Sequence, residues 1–145
     1  VADCTINISD AEGFGLATLE SLACGVPILV NMTGGLQEQV TDGTNWFGIG
    51  IEPVSQAIIG SQEIPWIYED RLSEEVVVNA LLEMYNKTPQ ERVKMGLAGR
   101  EHVIKNYNFK NYGKKWDEIL TTVHEEEGSW QTRKPKQRWV IKEIT

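Results

Sequence analysis

Strands and helices alternate along the first fifty residues, and this order predicts an α/β fold in which a parallel sheet is flanked by helices. The first strand, the first helix and the second strand fit within about thirty residues, as a right-handed βαβ crossover requires. Residues 26–30 are almost all apolar, which is typical of a strand covered on both faces. After residue 73 apolar residues recur with the helical period, so we predict three amphipathic helices there.

The apolar pattern predicts five elements before residue 52: strands at residues 5–8, 26–30 and 48–51, and helices at residues 16–24 and 36–40. In the first helix we expect Leu16, Leu19, Leu22 and Ala23 to share one apolar face. Gly25 is well placed to end this helix, because glycine adopts a positive φ without a Cβ clash.

Residues 52–70 show no clear period and contain two prolines and a glycine, so we predict a long loop. The three later helices each follow a polar residue suited to cap them: Ser73, Thr88 and Asn108. The tail is basic, and residues 138–142 have the composition of a strand or an extended arm. We therefore divide the chain into a partial α/β domain at residues 1–127 and a basic tail or arm at residues 128–145.

The charge of the chain is unevenly distributed. Residues 1–70 contain ten acidic side chains and no Lys or Arg, and Arg71 is the first base. This acidic half argues against nucleic-acid binding, which depends on clustered Lys and Arg. No apolar run approaches the length that spans a bilayer, and no targeting segment is visible, so we expect a cytoplasmic protein. Membrane contact by the basic tail is a less favoured alternative to a solvated or oligomer-contacting arm.

Two cysteines and two histidines have spacings that match no metal site or dense disulfide pattern. We expect Cys4 and Cys24 to be small buried residues, as is usual in a reducing compartment. His102 and His124 fall on predicted helices without nearby partners, so we expect surface or packing roles for both.

The loop between the first strand and the first helix has the composition of an anion site. Gly13 and Gly15 allow the backbone to approach a ligand closely. The N–H groups of Phe14, Gly15 and Leu16 lie at the positive end of the helix dipole and point outward, an arrangement suited to a diphosphate. Ligands of open α/β sheets bind at the carboxyl ends of the strands, where this loop lies.

Two carboxylates flank this loop. Glu12 precedes the glycines, and Glu20 lies four residues into the helix, roughly 6 Å along its axis. A carboxylate at that position accepts two hydrogen bonds, which suits a ribose diol. From their spacing alone, both residues are equally well interpreted as ordinary solvated acids.

Residues 2–40 closely resemble the C-terminal, donor-binding domain of the retaining glycosyltransferases of family 4 (group 1). Three features carry the resemblance: the E-x7-E motif from Glu12 to Glu20, the run from Ser21 to Pro27, and the pattern Gly34-Gly35…Glu38. The resemblance implies the Rossmann-like, C-terminal half of a GT-B fold, present here in truncated form. It is specific in residues 9–40 and generic after residue 73.

By this resemblance, Glu12 contacts hydroxyls of the donor sugar as the catalytic-site residue, and Glu20 binds the ribose. The amides of Gly13, Phe14, Gly15 and Leu16 hold the diphosphate of a nucleoside-diphosphate sugar. Such enzymes transfer the sugar with retention and generally use no metal or other cofactor, so none is expected here. A donor-site role for Glu38 is a weaker implication.

The family also places an Arg, a Lys and an N-terminal acceptor-binding domain upstream of this region. Since the chain has no base before Arg71, we expect it to hold half of a site and to be inactive as an isolated chain. An incomplete sheet leaves an open edge, from which we expect a homo-oligomer.

Three other functions are considered. A non-catalytic nucleotide-sugar-binding module that needs a partner domain is the main alternative. A nucleotide-sugar epimerase on the related fold stays open. A dinucleotide-binding domain fits worst, because Thr18 stands where the third glycine of Gly-x-Gly-x-x-Gly belongs.

Overall fold

The computed structural model describes residues 2–133. Its contacts divide the chain into two compact units, Val1–Tyr107 and Asn108–Thr145. The first unit contains, in order, β1 (Thr5–Asn7), α1 (Leu16–Ala23), β2 (Ile28–Asn31), α2 (Leu36–Val40), β3 (Gly48–Ile51), β4 (Ser55–Ile59), β5 (Ile67–Arg71), α3 (Glu74–Asn86) and α4 (Pro89–Asn106). The second unit contains α5 (Phe109–Glu127).

The first three strands form one parallel sheet in the order β1-β2-β3. In the middle of the sheet, Ile6 pairs with Leu29 and Leu29 pairs with Ile49. All four residues of the central strand β2 are buried. The predicted α/β fold with a parallel sheet and flanking helices is therefore confirmed.

Two apolar clusters cover the two faces of this sheet. Ile28 and Val30 pack with side chains of α1 and α2, whereas Leu29, between them, packs with side chains of α3. Successive strand residues point to opposite faces, so a strand inside a two-sided core must be apolar at every position. This packing accounts for the uninterrupted apolar run of β2.

The buried face of α1 differs from the predicted one. Leu19 and Leu22 are buried, but Leu16 is 67% exposed and Ala23 is also exposed. Thr18 and Ser21 take the inward positions instead. The Ser21 hydroxyl hydrogen-bonds to the Thr5 hydroxyl and donates to the Val26 carbonyl, so its burial leaves no polar group unsatisfied.

The cysteine prediction is partly wrong. Cys4 is half-buried and packs beside the cluster that contains Leu29, and burial raises the pKa of its thiol. Cys24 is exposed. It is the C-terminal cap of α1 and belongs to neither apolar cluster.

Residues 52–70 are not a long loop. They contain most of an antiparallel hairpin, in which β4 and β5 pair from Ser55↔Arg71 to Ile59↔Ile67. In β4 the apolar residues Ala57, Ile58 and Ile59 are consecutive, and Ile58 is 59% exposed, so apolar and polar residues do not alternate there. Without that alternation, the sequence pattern gave no strand signal.

The later helices begin where their capping residues predict. Ser73, Thr88 and Asn108 each accept a hydrogen bond from a backbone N–H three residues later. Thr88 forms the full capping box with Glu91. The predicted strand or arm at residues 138–142 lies outside the described residues.

Candidate functional site

The β1–α1 loop, residues 8–15, lies at the carboxyl end of the central sheet and ends at Gly15. Gly15 is the N-cap of α1 and has φ 87°. A Cβ on Gly15 would lie 2.5 Å from Cδ2 of Leu36, so both the backbone conformation and the space require glycine. The left-handed conformation of Gly15 therefore sets the direction in which α1 leaves the loop.

Buried amide side chains of β2 and α2 hold the β1–α1 loop against the core. Asn31, at the end of β2, donates from Nδ2 to the Ser9 carbonyl at 2.9 Å. Gln39, in α2, donates from Nε2 to the Phe14 carbonyl. Both side chains are almost fully buried. The two ends of the loop are therefore attached to the core through hydrogen bonds to their carbonyl groups.

The turn between β2 and α2 packs directly against the backbone of the same loop. A Cβ on Gly34 would lie 1.7 Å from the carbonyl oxygen of Glu12, and one on Gly35 would lie 2.7 Å from that of Phe14. Gly34 also has a positive φ of 48°. The Gly34-Gly35 pair thus allows two loops at the carboxyl edge of the sheet to touch backbone to backbone.

Several N–H groups at the start of α1 stay available to a ligand. Within the described residues, no hydrogen bond involves the backbone N–H of Phe14, Gly15 or Leu16, whereas Thr18 and Leu19 donate to the Gly15 carbonyl. The side chains of Phe14 and Leu16 are more than half exposed. A Cβ on Gly13 would meet nothing within 4 Å. This end of α1 therefore offers unpaired donors next to the open space at Gly13, although Gly15 itself is buried, and unpaired donors at a helix N-terminus favour an anion.

The predicted carboxylates stand on either side of these donors. Glu12 is half-buried in the loop, and Glu20 is exposed on α1 about 6 Å further along the axis. Neither forms an ion pair with a residue that the structure describes. Glu38 is exposed on α2, and its carbonyl accepts a hydrogen bond from the Tyr107 hydroxyl at 3.2 Å.

The β4–β5 hairpin adds a group of residues that the sequence did not point to. Arg71 forms an ion pair with Asp10 in the β1–α1 loop and a second one with Glu69 at 2.6 Å. The Asp70 backbone N–H donates to the Asp10 carbonyl at 2.8 Å. Hydrogen bonds from Thr33 and from Gln56 hold the pKa of the Asp70 carboxyl below its usual value of 3.8. The first base of the chain is thus brought to a loop 61 residues earlier.

His102 has close partners, contrary to the prediction that it has none nearby. Its ring lies 4.5 Å from that of Phe47, between ring centroids, and its Nδ1 lies 3.0 Å from Nδ2 of Asn106. These contacts give it a packing role, which agrees with the role that was expected. His102 and Phe47 line a groove of about 770 Å³ beside the amino end of β3, away from the β1–α1 loop.

Residues 2–133 contain no group of three or more His, Cys, Asp or Glu side chains that could hold a metal ion. Over the same residues, no helix has both the length and the apolar character needed to cross a bilayer.

Comparison with known proteins places the chain in a family. Residues 1–80, more than half of the chain, match the family described as glycosyl transferases group 1. The chain belongs to this family. The region of the match contains the β1–α1 loop, α1 and the Gly34-Gly35 turn, so the resemblance seen in the sequence is confirmed.

Two curated relatives are mannosyltransferases. The chain is 32% identical over 111 residues to a GDP-mannose-dependent monoacylated alpha-(1-6)-phosphatidylinositol monomannoside mannosyltransferase of Corynebacterium glutamicum, covering 77% of this chain and 23% of that protein. It is 28% identical over 115 residues to a GDP-mannose-dependent alpha-(1-6)-phosphatidylinositol monomannoside mannosyltransferase of Mycolicibacterium smegmatis, covering 77% of this chain and 24% of that protein. The chain thus spans about a quarter of the length of each.

A solved structure shares the fold. Sucrose-phosphate synthase from Thermosynechococcus elongatus, a GT-B protein, superposes with a TM-score of 0.64 over 86% of this chain and 26% of that one. The sequence identity is 22%, so the likeness concerns the fold alone. The chain has part of a GT-B fold, as predicted.

Proposed function

We propose that this chain binds the nucleoside-diphosphate sugar donor of a retaining glycosyltransferase. The observation that carries the proposal is the set of unpaired N–H groups of Phe14, Gly15 and Leu16 at the start of α1, next to the open space at Gly13, in a chain of the group 1 family. A diphosphate accepts several hydrogen bonds and carries the charge that the N-terminus of a helix favours. The β1–α1 loop is therefore the proposed diphosphate site.

The two carboxylates take different parts of the donor in this proposal. Glu20, on α1 beyond the diphosphate, accepts hydrogen bonds from the ribose hydroxyls. Glu12, on the other side of Gly13, contacts hydroxyls of the sugar and is the proposed catalytic-site residue. The oriented N–H groups stabilise the negative charge that develops on the departing nucleoside diphosphate, and the protein needs no metal for this step.

Guanosine diphosphate is the nucleotide that we propose to test first. Both curated relatives described above are named as GDP-mannose-dependent. Because the chain spans about a quarter of each of them, we assign acceptor binding to a further domain of a longer protein. The isolated chain is accordingly expected to bind donor without transferring sugar.

A non-catalytic nucleotide-sugar-binding module is the second candidate. It uses the same donor-site residues, Glu12, Gly13 and Glu20, and differs from the enzyme only in the absence of transfer. Assays of sugar transfer with the longer protein distinguish the two candidates. Transfer that is lost in Glu12→Ala supports the enzyme, and binding without transfer supports the module.

Calorimetric titration of the chain with GDP, GDP-mannose and UDP tests donor binding directly. Glu20→Ala removes the proposed ribose contact, and we expect it to weaken binding by roughly tenfold or more, as loss of a hydrogen bond to a charged group does. Glu101→Ala is the matched control, since it removes an exposed helical carboxylate in α4, outside the β1–α1 loop.

Gly13→Ala is a second probe of the same site. The added methyl group meets no protein atom within 4 Å, so the melting temperature should not fall. If a ligand occupies that space, affinity for the nucleotide falls nevertheless. Saturable binding that is equal in wild type, Glu20→Ala and Gly13→Ala would remove the β1–α1 loop from the donor site.

A further inference from the structure

The β4–β5 hairpin meets the β1–α1 loop along the outer edge of β5. Asp70 pairs with Gln56 of β4 across the hairpin, and its own backbone N–H points away from β4 to the carbonyl of Asp10. On the opposite edge of β5, which faces β4, the Arg71 carbonyl accepts a hydrogen bond from the Val54 N–H at 2.9 Å. The last residues of β5 therefore bond to β4 on one edge and to the β1–α1 loop on the other.

Side chains reinforce this junction on both sides of the backbone hydrogen bond. The guanidinium group of Arg71 lies between the carboxylates of Asp10 and Glu69. The Asp70 carboxylate bonds to Thr33, in the turn that follows β2, and accepts from Gln56 Nε2 at 2.8 Å. The hairpin is thus attached to two loops at the carboxyl edge of the sheet.

The hairpin adds a contact at Asp10, between the Ser9 carbonyl that Asn31 holds and the Glu12 carbonyl on which Gly34 packs. Asn31 holds the loop at Ser9 and Gln39 holds it at Phe14, so both contacts lie at its ends. The contact of Arg71 with Asp10 falls between them, two residues before Glu12. Backbone freedom that remains at Asp10 would have to be lost on binding, and ordering it then would cost affinity.

The charge of Arg71 also matters for an anionic ligand. Asp10 and Glu12 would both repel a diphosphate, and Arg71, whose single positive charge is shared between Asp10 and Glu69, offsets part of that repulsion. A guanidinium group presents several donors in a fixed plane, so it can hold two carboxylates at once, as it does here with Asp10 and Glu69.

We propose that Arg71 is a positioning residue that, through its ion pair with Asp10, holds the β1–α1 loop against the hairpin in the conformation that presents its free N–H groups to a diphosphate. The role in ligand presentation rests on the function proposed above. The contact itself, and its effect on the order of the loop, are measurable without any ligand.

The test uses NMR of the whole chain, with the Asp70 amide as the reporter of the junction and the Val54 amide as the reporter of the hairpin. In Arg71→Ala we expect exchange of the Asp70 amide to rise about three- to fivefold, the range expected for a partly exposed ion pair. Exchange of the Val54 amide should stay within twofold of wild type, because its hydrogen bond to the Arg71 carbonyl lies within the hairpin and does not cross the junction with the β1–α1 loop. Order parameters of residues 12–15 should fall.

Three further variants separate the ion pair from other effects of the substitution. Asp10→Asn breaks the same ion pair, so it should also raise the exchange rate of the Asp70 amide. It changes the net charge in the direction opposite to Arg71→Ala, which separates loss of the pair from the change in charge. Arg71→Lys keeps a cation at the position and should restore most of the protection. Lys114→Ala removes the cation of an exposed ion pair in α5 and should change neither reporter.

The proposal is overturned if Arg71→Ala leaves both the Asp70 amide and the order of residues 12–15 unchanged. It is also overturned if exchange of the Asp70 and Val54 amides rises by the same factor, since the hairpin itself then depends on Arg71. Titration with GDP separates the two proposals: if wild type shows no nucleotide binding while the junction behaves as described, the proposed function fails and the holding role of Arg71 stands.

Discussion

Gly34 offers the sharpest test of how the site is built, because replacing it with alanine forces two loops apart. The added Cβ would lie 1.7 Å from the Glu12 carbonyl oxygen, whereas real Cβ contacts essentially never fall below 3.0 Å. The two backbones must therefore separate by more than 1 Å. The residue also has a φ of 48°, a conformation that costs a residue with a Cβ about 1–2 kcal/mol.

The displacement adds to this conformational cost. Overpacking of a close contact typically costs about 1–3 kcal/mol, so we expect Gly34→Ala to lower the free energy of unfolding by about 3 kcal/mol in total. For a chain of this size, that corresponds to a fall in melting temperature of roughly 10 °C. Because the displaced loop should lose at least one hydrogen bond to the charged diphosphate, worth about 1.5–3 kcal/mol, nucleotide affinity should fall by roughly tenfold or more.

Gly43→Ala is the matched control for this prediction. Gly43 also has a positive φ, 88°, but its added Cβ would meet nothing within 4 Å. It should therefore show the conformational cost alone, about 1–2 kcal/mol, with unchanged nucleotide binding. Thermal unfolding and calorimetric titration measure both quantities. Equal losses of stability in the two variants, with binding intact in both, would refute the reasoning.

Three other predictions concern parts of the molecule away from the loop. Thr88→Ala removes the N-cap of α4 and should lower the free energy of unfolding by about 1 kcal/mol, seen as a fall of roughly 3 °C in melting temperature; no change would mean that the capping box contributes nothing. Hydrogen bonds from Asn45 and Thr44 lower the pKa of Asp42 to about 2 from 3.8, so its stabilising contribution is present above pH 3.8 and is lost as the pH falls toward 2. Melting temperatures between pH 5 and pH 2 should therefore fall more steeply in wild type than in Asp42→Asn, and parallel curves would contradict this. Within the described residues, β1 pairs with a strand on one side only, so we expect the isolated chain to self-associate. Light scattering that shows a single monomeric species up to roughly 100 μM would exclude this.

Much of the central sheet was predictable because its signals are local. The apolar run of β2 follows from burial on both faces, and the caps of α3, α4 and α5 follow from the side chains of Ser73, Thr88 and Asn108. The glycines and glutamates of the β1–α1 region were also visible, since their spacing matches a family motif. Each of these features depends on residues that lie close together in the chain.

The hairpin and the face of α1 were not predictable in the same way. Ile58 and Tyr68 are exposed although they are apolar, so the hairpin lacks the alternation that identifies a half-buried strand. In α1, Ser21 is buried because its hydroxyl finds partners on Thr5 and Val26. Neither partner is apparent from the helical period, which by itself placed Leu16 on the inner face.

By itself, the sequence determined the α/β class, the group 1 family and the loop that carries the candidate donor site, because each depends on short-range patterns. The tertiary structure decided what holds that loop in place. Gly34 meets Glu12 across 22 residues of sequence, and Arg71 meets Asp10 across 61. Contacts at such separations depend on how strands and turns come together at the edge of the sheet, and this information is present in no local stretch of the chain.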